Sequence, residues 1–226
     1  MNIRIIYEDN HLLVVEKPVN MPVQEDRSRD KDVLSALKEM IKVRDNKPGN
    51  VFLALVHRLD RPVGGVMVFA KTSKAASRLS DVIRRNQLSR KYLAVVRGKP
   101  SAERKKLVHF LLKDRRRNIV HVVQQNTKRA QKAMLEYETI ETSDDLSLVA
   151  IKLHTGRPHQ IRVQLSTVQL PVVGDQKYGI EKKPGQQIAL WAYELSFPHP
   201  TTKDVLTFSA QPPKNYPWNI WPSLSE

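Results

Sequence analysis

The hydrophobic positions in the first half of the chain follow a strand period and then a helix period. Short β-branched runs at residues 3–8 and 11–17 flank the turn pair Asp9-Asn10 and predict a hairpin. Apolar residues then recur at helical spacing over residues 32–43. An apolar strand and a second amphipathic helix, capped by Ser73, are predicted further on. Their ranges are residues 65–71 for the strand and 73–86 for the helix.

The second half of the chain has the pattern of a β-protein with one short helix. A Gly and a Pro lead into this helix, which is predicted over residues 159–167. Strands are predicted at residues 90–98, 106–112, 118–124, 132–141, 146–153, 187–197 and 204–210. Strands outnumber helices and several are hairpin-like neighbours, which predicts an α+β fold with a mixed, mostly antiparallel central β-sheet flanked by helices. No linker is visible, so residues 1–226 are expected to form a single domain.

Composition excludes several classes of protein. The chain has no cysteine, which excludes disulfides, zinc ribbons, iron–sulfur centres and cysteine nucleophiles. No apolar run approaches the roughly 20 residues that a transmembrane helix needs. The opening MNIRIIYEDN carries acids and no long apolar core, unlike a signal peptide. A cytoplasmic chain without a membrane partner is therefore expected.

Positive charge is concentrated in one part of the chain. The net charge is +15, and residues 84–132 hold 16 of the 38 Lys and Arg residues but only Glu103 and Asp114 among the acids. A concentrated basic block is typical of proteins that bind a phosphate backbone. A solvated basic surface that keeps the protein in solution is the other interpretation of this block.

The motif HRLDRPVGG at residues 57–65 places an acid between two arginines, on a turn between two apolar segments. Asp60 in such a turn is either an exposed, weakly paired acid or a functional carboxylate. The apolar flanks favour the second interpretation, because they pin the turn to the core. Gly64 and Gly65 also permit close approach by a ligand or by another backbone segment.

Two further segments supply candidate partners for this acid. In LHTGRPHQIRVQL (153–165), a strand ends, Gly156 turns the chain, and Arg162 follows about one turn into the predicted helix. Arg162 is either a surface helix arginine or a cation that keeps a carboxylate ionised and oriented. Tyr92, in the strand RKYLAVVRG, is either a half-buried packing residue or a platform for a nucleobase.

Taken together, these segments resemble the RluA-type pseudouridine synthases, which convert uridine in structured RNA to pseudouridine. The resemblance runs from about residue 5 to residue 210. It is carried, in order, by YEDNHLLVVEKPVNMPV, HRLDRPVGGVMVFAKT, RKYLAVVRG, TGRPHQIRVQL and PVVGDQKYG. It implies a single catalytic domain over residues 1–226 with the pseudouridine synthase fold, an active-site cleft across the sheet, and no separate N-terminal RNA-binding domain.

Carried over residue by residue, the resemblance implies three catalytic residues. Asp60 is the catalytic acid, Tyr92 lies against the target base, and Arg162 is the cation paired with the aspartate. Arg58 is implied as a contact to the RNA or an aid to extruding the uridine. The remaining expected contacts to substrate or RNA are His57, Arg61, Arg157, His159, Gln160, Arg90 and Lys91.

The chain departs from the family pattern at two places. Members commonly have Thr-Ser-Gly after the aspartate and its variable neighbours, where this chain has Val63-Gly64-Gly65. This removes two hydroxyl groups from the vicinity of the site, with an effect that the sequence leaves open. Gln164 also occupies a position where the family often has a histidine.

The implied reaction fits the composition. Pseudouridine forms when the glycosidic C–N bond breaks and the same uracil rejoins the ribose through carbon, so no redox cofactor or metal is expected. The target base must leave its stack to be reached, as in other base-modifying enzymes. Asp60 would start the reaction as a nucleophile or as a base. The expected partner is rRNA or tRNA, bound by a monomer, and the sequence does not specify the uridine.

Two rival functions remain as alternatives. A non-catalytic RNA-binding module would share the basic block without needing Asp60. A hydrolase or metal enzyme could use His57, Asp60, His154 and His159, but no HExxH spacing supports a metal site and no GxSxG motif supports a nucleophilic serine.

Overall fold

The computed structural model describes residues 3–181 and 185–224. The chain forms two compact units. Unit 1 contains Met1–Ser89 and Ala192–Ala210, and unit 2 contains Arg90–Trp191 and Gln211–Glu226. The single catalytic domain expected from the sequence stays a prediction.

Unit 1 is built on antiparallel strands and two helices. Its strands are β1 (Arg4–Glu8), β2 (Leu12–Lys17), β3 (Ala54–Leu55), β4 (Gly64–Ala70), β10 (Leu190–Pro198, in this unit from Ala192 onward) and β11 (Val205–Ser209). They lie in the order β1-β2-β4-β10, with β3 paired to β4 and β11 paired to β10. Its helices are α1 (Val33–Arg44) and α2 (Ser73–Arg84).

The centre of unit 1 is a pair of strands with almost no polar side chains. The run LLVV of β2 and the whole of β4, GGVMVFA, are buried. Their antiparallel register pairs Leu13 with Phe69 and Lys17 with Gly65. A strand that is apolar on both faces is typical of the middle of a covered sheet. The turn that carries Asp60 leads directly into this buried strand β4.

Side-chain caps define the starts of the two helices. Asp32 accepts a hydrogen bond from the Ser35 backbone N–H (2.9 Å) at the start of α1. Thr72 accepts from the Ala75 N–H (3.1 Å) at the start of α2. The expectation that Ser73 caps α2 is therefore wrong by one residue, because the Thr72 backbone is extended and Ser73 is already helical.

Unit 2 contains a five-stranded antiparallel sheet and one helix. Its strands are β5 (Ser89–Arg97), β6 (Arg104–Asp114), β7 (Ile119–Val123), β8 (Gln131–Ser143) and β9 (Leu146–Leu153). They lie in the order β5-β9-β8-β6-β7. The helix is α3 (Gln160–Thr167), and a short 3-10 turn covers Pro222–Leu224.

The helix of unit 2 is anchored by an apolar cluster. Val163 of α3 packs with Leu111, Val120 and Ala133, which come from β6, β7 and β8. Tyr178 packs against the same cluster. This packing fixes the face of α3 that carries Arg162.

The fold class predicted from the hydrophobic pattern is confirmed. The structure is α+β with a mixed, mostly antiparallel arrangement of strands, and the described residues contain three α-helices. Each predicted strand and helix is present, with ends shifted by a few residues. The two-residue strand β3 was not predicted, because a run this short has no detectable period.

Gly65 occupies a position that only glycine suits. Its φ is +117°, a region that other residues rarely adopt. A Cβ on Gly65 would lie 2.2 Å from the carbonyl oxygen of Ala192. The sequence left open whether this glycine admits a ligand or a backbone segment, and the structure places the backbone of Ala192 against it.

Gly65→Ala is expected to destabilise the chain. The strained φ alone costs roughly 1–3 kcal/mol, and the contact with Ala192 adds to it. Gly49→Ala is the control, because a Cβ there meets nothing within 4 Å. Urea unfolding checks both variants, and equal stabilities for the two would contradict the close approach at Gly65.

Candidate active site

The turn that carries Asp60 is anchored by buried residues on both sides of the aspartate. The Val63 N–H donates to the Asp60 carbonyl oxygen (3.0 Å), which closes the turn. Leu59 and Val63 are buried on either side of the aspartate, while Asp60 itself is half-buried and Arg58 is exposed. The backbone at Asp60 is therefore fixed, and its side chain keeps access to solvent.

Lys17 supports this turn through its buried side chain, a role that the sequence analysis did not predict. Its side chain is fully buried, and its Nζ donates to the carbonyl oxygens of Pro18 (2.7 Å) and Arg61 (3.0 Å). Burial lowers the pKa of Lys17 to about 7, although the negative charge of Asp60 acts in the opposite direction. Lys17 thus fixes the backbone next to Asp60.

His57 and Arg61, both predicted to bind RNA, have contacts within unit 1. The Nε2 of His57 accepts a hydrogen bond from the Val68 N–H (3.1 Å). Arg61 donates to the Asn20 carbonyl (3.2 Å) and to Ser28 Oγ (3.0 Å), and it also pairs with Asp30. The contacts of Arg61 tie the turn that carries Asp60 to the segment before α1. An RNA contact for either residue stays a prediction.

In unit 2, β5 presents Tyr92 and Arg90 on one face of the strand, since side chains two residues apart point the same way. Tyr92 is buried, and Lys91 between them is exposed. The Arg90 guanidinium lies against Gly156, where a Cβ would come within 2.5 Å of an Arg90 nitrogen. Within residues 3–181 and 185–224, the buried Nε of Arg90 has no hydrogen-bond partner. Glycine at 156 therefore leaves room for this arginine.

Arg162 forms a buried ion pair with Asp175. Its Nε and one terminal nitrogen donate to the two carboxylate oxygens at 2.8 and 2.7 Å. The two side chains are 4% and 0% exposed, so Arg162 is not the surface arginine that one interpretation of the sequence allowed. The predicted pairing with Asp60, a residue of unit 1, stays a prediction.

The loop after α3 is shaped to hold Asp175 ionised. Burial acts to raise the pKa of Asp175, but the hydrogen bonds and charge of Arg162 outweigh it, so the pKa lies below its ordinary value. The backbone N–H groups of Lys177 (2.8 Å) and Tyr178 (3.1 Å) also donate to the carboxylate. Asp175 lies in the motif PVVGDQKYG, to which the sequence reasoning assigned no role.

Tyr178 links three parts of unit 2. Its hydroxyl accepts from the Val120 N–H (2.8 Å) and lies 2.7 Å from His159 Nδ1. The Arg162 guanidinium carbon lies 5.3 Å from the centre of the Tyr178 ring, a cation–π contact. His159 precedes α3 with a left-handed backbone, φ 51°. Tyr178 therefore fixes both the cation and the entry to its helix.

Gln160 and Arg157 brace the turn before α3. Gln160 is buried, and its Oε1 accepts from Thr155 Oγ1 (2.7 Å) and the Arg157 N–H (3.0 Å). Its Nε2 donates to the Met134 carbonyl (3.1 Å), and Arg157 Nε donates to the Lys132 carbonyl (3.1 Å). The predicted contacts of these residues to RNA stay predictions, while their contacts within the chain are structural.

Much of the predicted basic block lies on strands β6 and β8 and on the turns that flank β7. Asp114 Oδ1 accepts from the N–H groups of Arg116 (2.8 Å) and Arg117 (3.0 Å), which fixes the turn between β6 and β7. We call seven of the exposed cations of this region the basic hairpin surface; they are Lys105, Lys113, Arg115, Arg116, Arg117, Lys128 and Arg129. Such a surface is suited to a phosphate backbone.

Neither a metal-binding cluster nor a membrane-spanning helix occurs in the described part of the chain. No group of three or more His, Cys, Asp or Glu side chains there could hold a metal ion. No helix there is long and apolar enough to cross a membrane.

Comparison with known proteins identifies relatives of this chain. The family described as RNA pseudouridylate synthase matches residues 11–167, a range that includes Asp60, Tyr92 and Arg162. The chain is 31% identical over 224 residues to ribosomal large subunit pseudouridine synthase D of Zymomonas mobilis subsp. mobilis, covering 94% of this chain and 70% of that protein. It is 31% identical over 229 residues to tRNA pseudouridine synthase C of Haemophilus ducreyi, covering 93% and 91%.

The fold has counterparts among solved structures. The structure of human RNA pseudouridylate synthase domain containing 4 matches with a TM-score of 0.78 and 23% identity, covering 93% of this chain and 89% of that one. The structure of human RNA pseudouridylate synthase domain containing 1 matches with a TM-score of 0.74 and 24% identity. At this identity the likeness shows a shared fold. With the family match over most of its length, the chain belongs to the RluA-type RNA pseudouridine synthases, which are isomerases.

Proposed function

We propose that this enzyme forms pseudouridine at specific positions of rRNA or tRNA, as a monomer in the cytoplasm, with Asp60 as the group that starts the reaction. The family match over residues 11–167 carries this proposal, because Asp60, Tyr92 and Arg162 all lie within it. The relatives named for ribosomal and transfer RNA support both substrate classes.

The reaction rearranges one nucleotide without an external reagent. The bond from C1′ of the ribose to N1 of uracil breaks, the ring turns, and C1′ bonds to C5 of the same ring. The proton lost from C5 is balanced by the proton gained at N1, so atoms and electrons are conserved. A positioned carboxylate can assist as a nucleophile on the sugar or base, or as the base that takes a proton from the ribose.

The surroundings of Asp60 support its role as a carboxylate that reacts. The turn is closed by the Val63 hydrogen bond and held by Lys17 through the Arg61 carbonyl, so the carboxylate starts from a defined position. Half-burial leaves it reachable by a nucleotide. A group held in place needs little reorganisation when the substrate arrives.

Tyr92 and Arg162 are proposed to act on the same nucleotide. Tyr92 offers an aromatic face to the uracil while the ring turns, since such faces stack on bases regardless of sequence. Arg162 supplies a permanent positive charge, kept in one orientation by Asp175 and Tyr178. The basic hairpin surface supplies phosphate contacts, whose free energy offsets the cost of extruding the base.

Asp60→Asn is expected to abolish pseudouridine formation, lowering the rate by at least roughly 10²-fold, because the amide neither attacks nor takes a proton. RNA from cells that lack the gene is incubated with the purified protein, and pseudouridine is counted by nucleoside mass spectrometry. Asp144→Asn, in an exposed turn with φ 47°, is the control and should keep full activity. Conversion by Asp60→Asn at the control's rate would remove Asp60 from the mechanism.

Asp175→Asn is expected to cost roughly 3–5 kcal/mol of stability, because it leaves Arg162 buried without its carboxylate. Glu138→Gln, which breaks the exposed pair with Arg104 (2.5 Å), is the matched control and should change stability little. Denaturant unfolding measures both. A loss no larger for Asp175→Asn than for the control would contradict the buried pair.

The Arg162–Asp175 pair also predicts that the free energy of unfolding decreases at low pH. A carboxyl whose folded pKa is lowered stabilises the fold above its unfolded pKa of about 3.9, and this contribution disappears as the pH falls through the folded pKa. The wild type should therefore lose its advantage over Asp175→Asn as the pH falls below about 4. Unfolding curves that keep a constant separation over this range would contradict the lowered pKa of Asp175.

The lowered pKa of Lys17 predicts that the free energy of unfolding also changes above neutral pH. Its folded pKa is about 7, against 10.5 ordinarily, so between these values the unfolded chain holds a proton that the folded chain lacks. Stability must then rise with pH, by at most roughly 1.4 kcal/mol per pH unit. Urea unfolding of wild type and Lys17→Met between about pH 7 and pH 9 should show the wild type gaining relative to the variant. The exposed Lys74→Met should show no such trend, and a constant difference for Lys17→Met would contradict the lowered pKa.

A further inference from the structure

A basic groove lies in unit 1 among residues to which the proposed reaction assigns no role. It has a volume of about 610 Å³ and runs along the C-terminal half of α2 and the turn that follows β10. The lining residues that matter here are Arg78, Asp81, Arg84, Arg85, His199 and Lys203. Within the described part of the chain, no residue predicted to act on the uridine lines it.

The side chains of Arg78 and Lys203 both donate hydrogen bonds to the carbonyl oxygen of Pro200. A terminal nitrogen of Arg78 and the Nζ of Lys203 each lie 3.0 Å from the Pro200 carbonyl, so the two cations are at most 6.0 Å apart. Within residues 3–181 and 185–224, neither side chain has a carboxylate partner. Two like charges held this close on a neutral acceptor create a strong local preference for an anion.

Asp81 is the one carboxylate among the described lining residues, and two arginines share it. Arg84 pairs with one of its oxygens, and Arg85 Nε lies 2.8 Å from the other. The side chains of Arg84 and Arg85 are 78% and 67% exposed, so both can turn toward a ligand. One negative charge cannot neutralise four cations, and the groove keeps a net positive charge.

The opposite wall of the groove is rigid. The Nε2 of His199 lies 2.9 Å from Asp9 Oδ2, and its Nδ1 accepts from the Thr202 N–H (3.0 Å). His199 is 6% exposed. The turn that carries Lys203 is therefore fixed in place, which reduces the ordering needed at Lys203 when a ligand binds.

We propose that this groove binds the phosphate backbone of the RNA substrate, at a site separate from the residues that act on the target uridine. The inference rests on the proposed function, which makes RNA the polyanion that this enzyme meets. Guanidinium and ammonium groups around an open channel suit phosphodiester oxygens, which arginine binds in a fork geometry. RNA flanking the target site would then add affinity and help to select the substrate.

The double variant Arg78→Gln/Lys203→Gln tests the proposal. Binding of unfractionated tRNA is measured by fluorescence anisotropy over a series of salt concentrations. The slope of log affinity against log salt should become shallower by roughly 1.5, because each lost phosphate contact removes roughly 0.7–0.9. An unchanged slope and affinity would overturn the proposal.

A matched control separates the groove from net charge. Lys42→Gln/Lys74→Gln removes the same charge from exposed lysines of α1 and α2 that do not line the groove. This variant should keep the wild-type slope. An equal flattening in both double variants would attribute the effect to overall charge and overturn the proposal. Thermal unfolding confirms that each variant is folded.

Asp81→Asn gives a prediction of opposite sign. Removing the shared carboxylate frees Arg84 and Arg85 for phosphate, so tRNA should bind more tightly and with a steeper salt dependence. Glu39→Gln, which removes an exposed carboxylate paired with Lys31 on α1, is the control and should bind as the wild type does. Binding by Asp81→Asn that is unchanged or weaker would contradict the proposal.

Activity distinguishes this inference from the proposed function. At saturating RNA, the groove variants should still form pseudouridine at the wild-type rate, whereas Asp60→Asn should not. Active Asp60→Asn together with weakened tRNA binding by the groove variants would refute the role of Asp60 and support the groove. Loss of turnover at saturating RNA in the groove variants would contradict a separate binding site.

Discussion

The buried pair of Arg162 and Asp175 is the interaction on which helix α3 and the loop that follows it depend. A guanidinium inside a protein is tolerated only with a carboxylate and enough further hydrogen bonds. The chain provides them with a short loop after α3, whose own backbone N–H groups hold the carboxylate. Tyr178, at the end of that loop, then covers the cation with its ring. Helix, loop and aromatic ring are thus arranged around one charge.

Unit 1 stabilises a buried basic side chain in a different way. Lys17 is also buried, but its described partners are backbone carbonyls, and its pKa falls because these neutral oxygens do not compensate for lost water. A carbonyl is a weaker partner than a carboxylate, yet it belongs to the main chain. The Lys17 side chain therefore fixes the path of the backbone at Arg61, next to Asp60. Lys17 in unit 1 and Arg162 in unit 2 are both buried basic side chains.

Periodicity predicted most of the fold, because strands and helices here are long enough for their apolar positions to repeat. It missed β3, which has two residues, and placed the cap of α2 one residue late. Three of the five quoted motifs, HRLDRPVGGVMVFAKT, RKYLAVVRG and TGRPHQIRVQL, lie wholly within the family match, whereas PVVGDQKYG lies beyond it. The burial of Lys17 and of Arg162 could not be predicted from the sequence, because these residue types are usually exposed and their partners are fixed by tertiary structure. Asp175 lay in a quoted motif, but nothing in its spacing from Arg162 indicated that the two would pair.

The phenol oxygen of Tyr178 connects β7 to the residue before α3. It accepts a hydrogen bond from the Val120 N–H of β7 and lies 2.7 Å from His159 Nδ1 at the entry to α3. Strand β7 directly follows the arginine-rich turn, so that turn is linked through Val120 and Tyr178 to the residue before α3. The basic hairpin surface and the start of α3 are therefore connected through the hydroxyl oxygen of Tyr178.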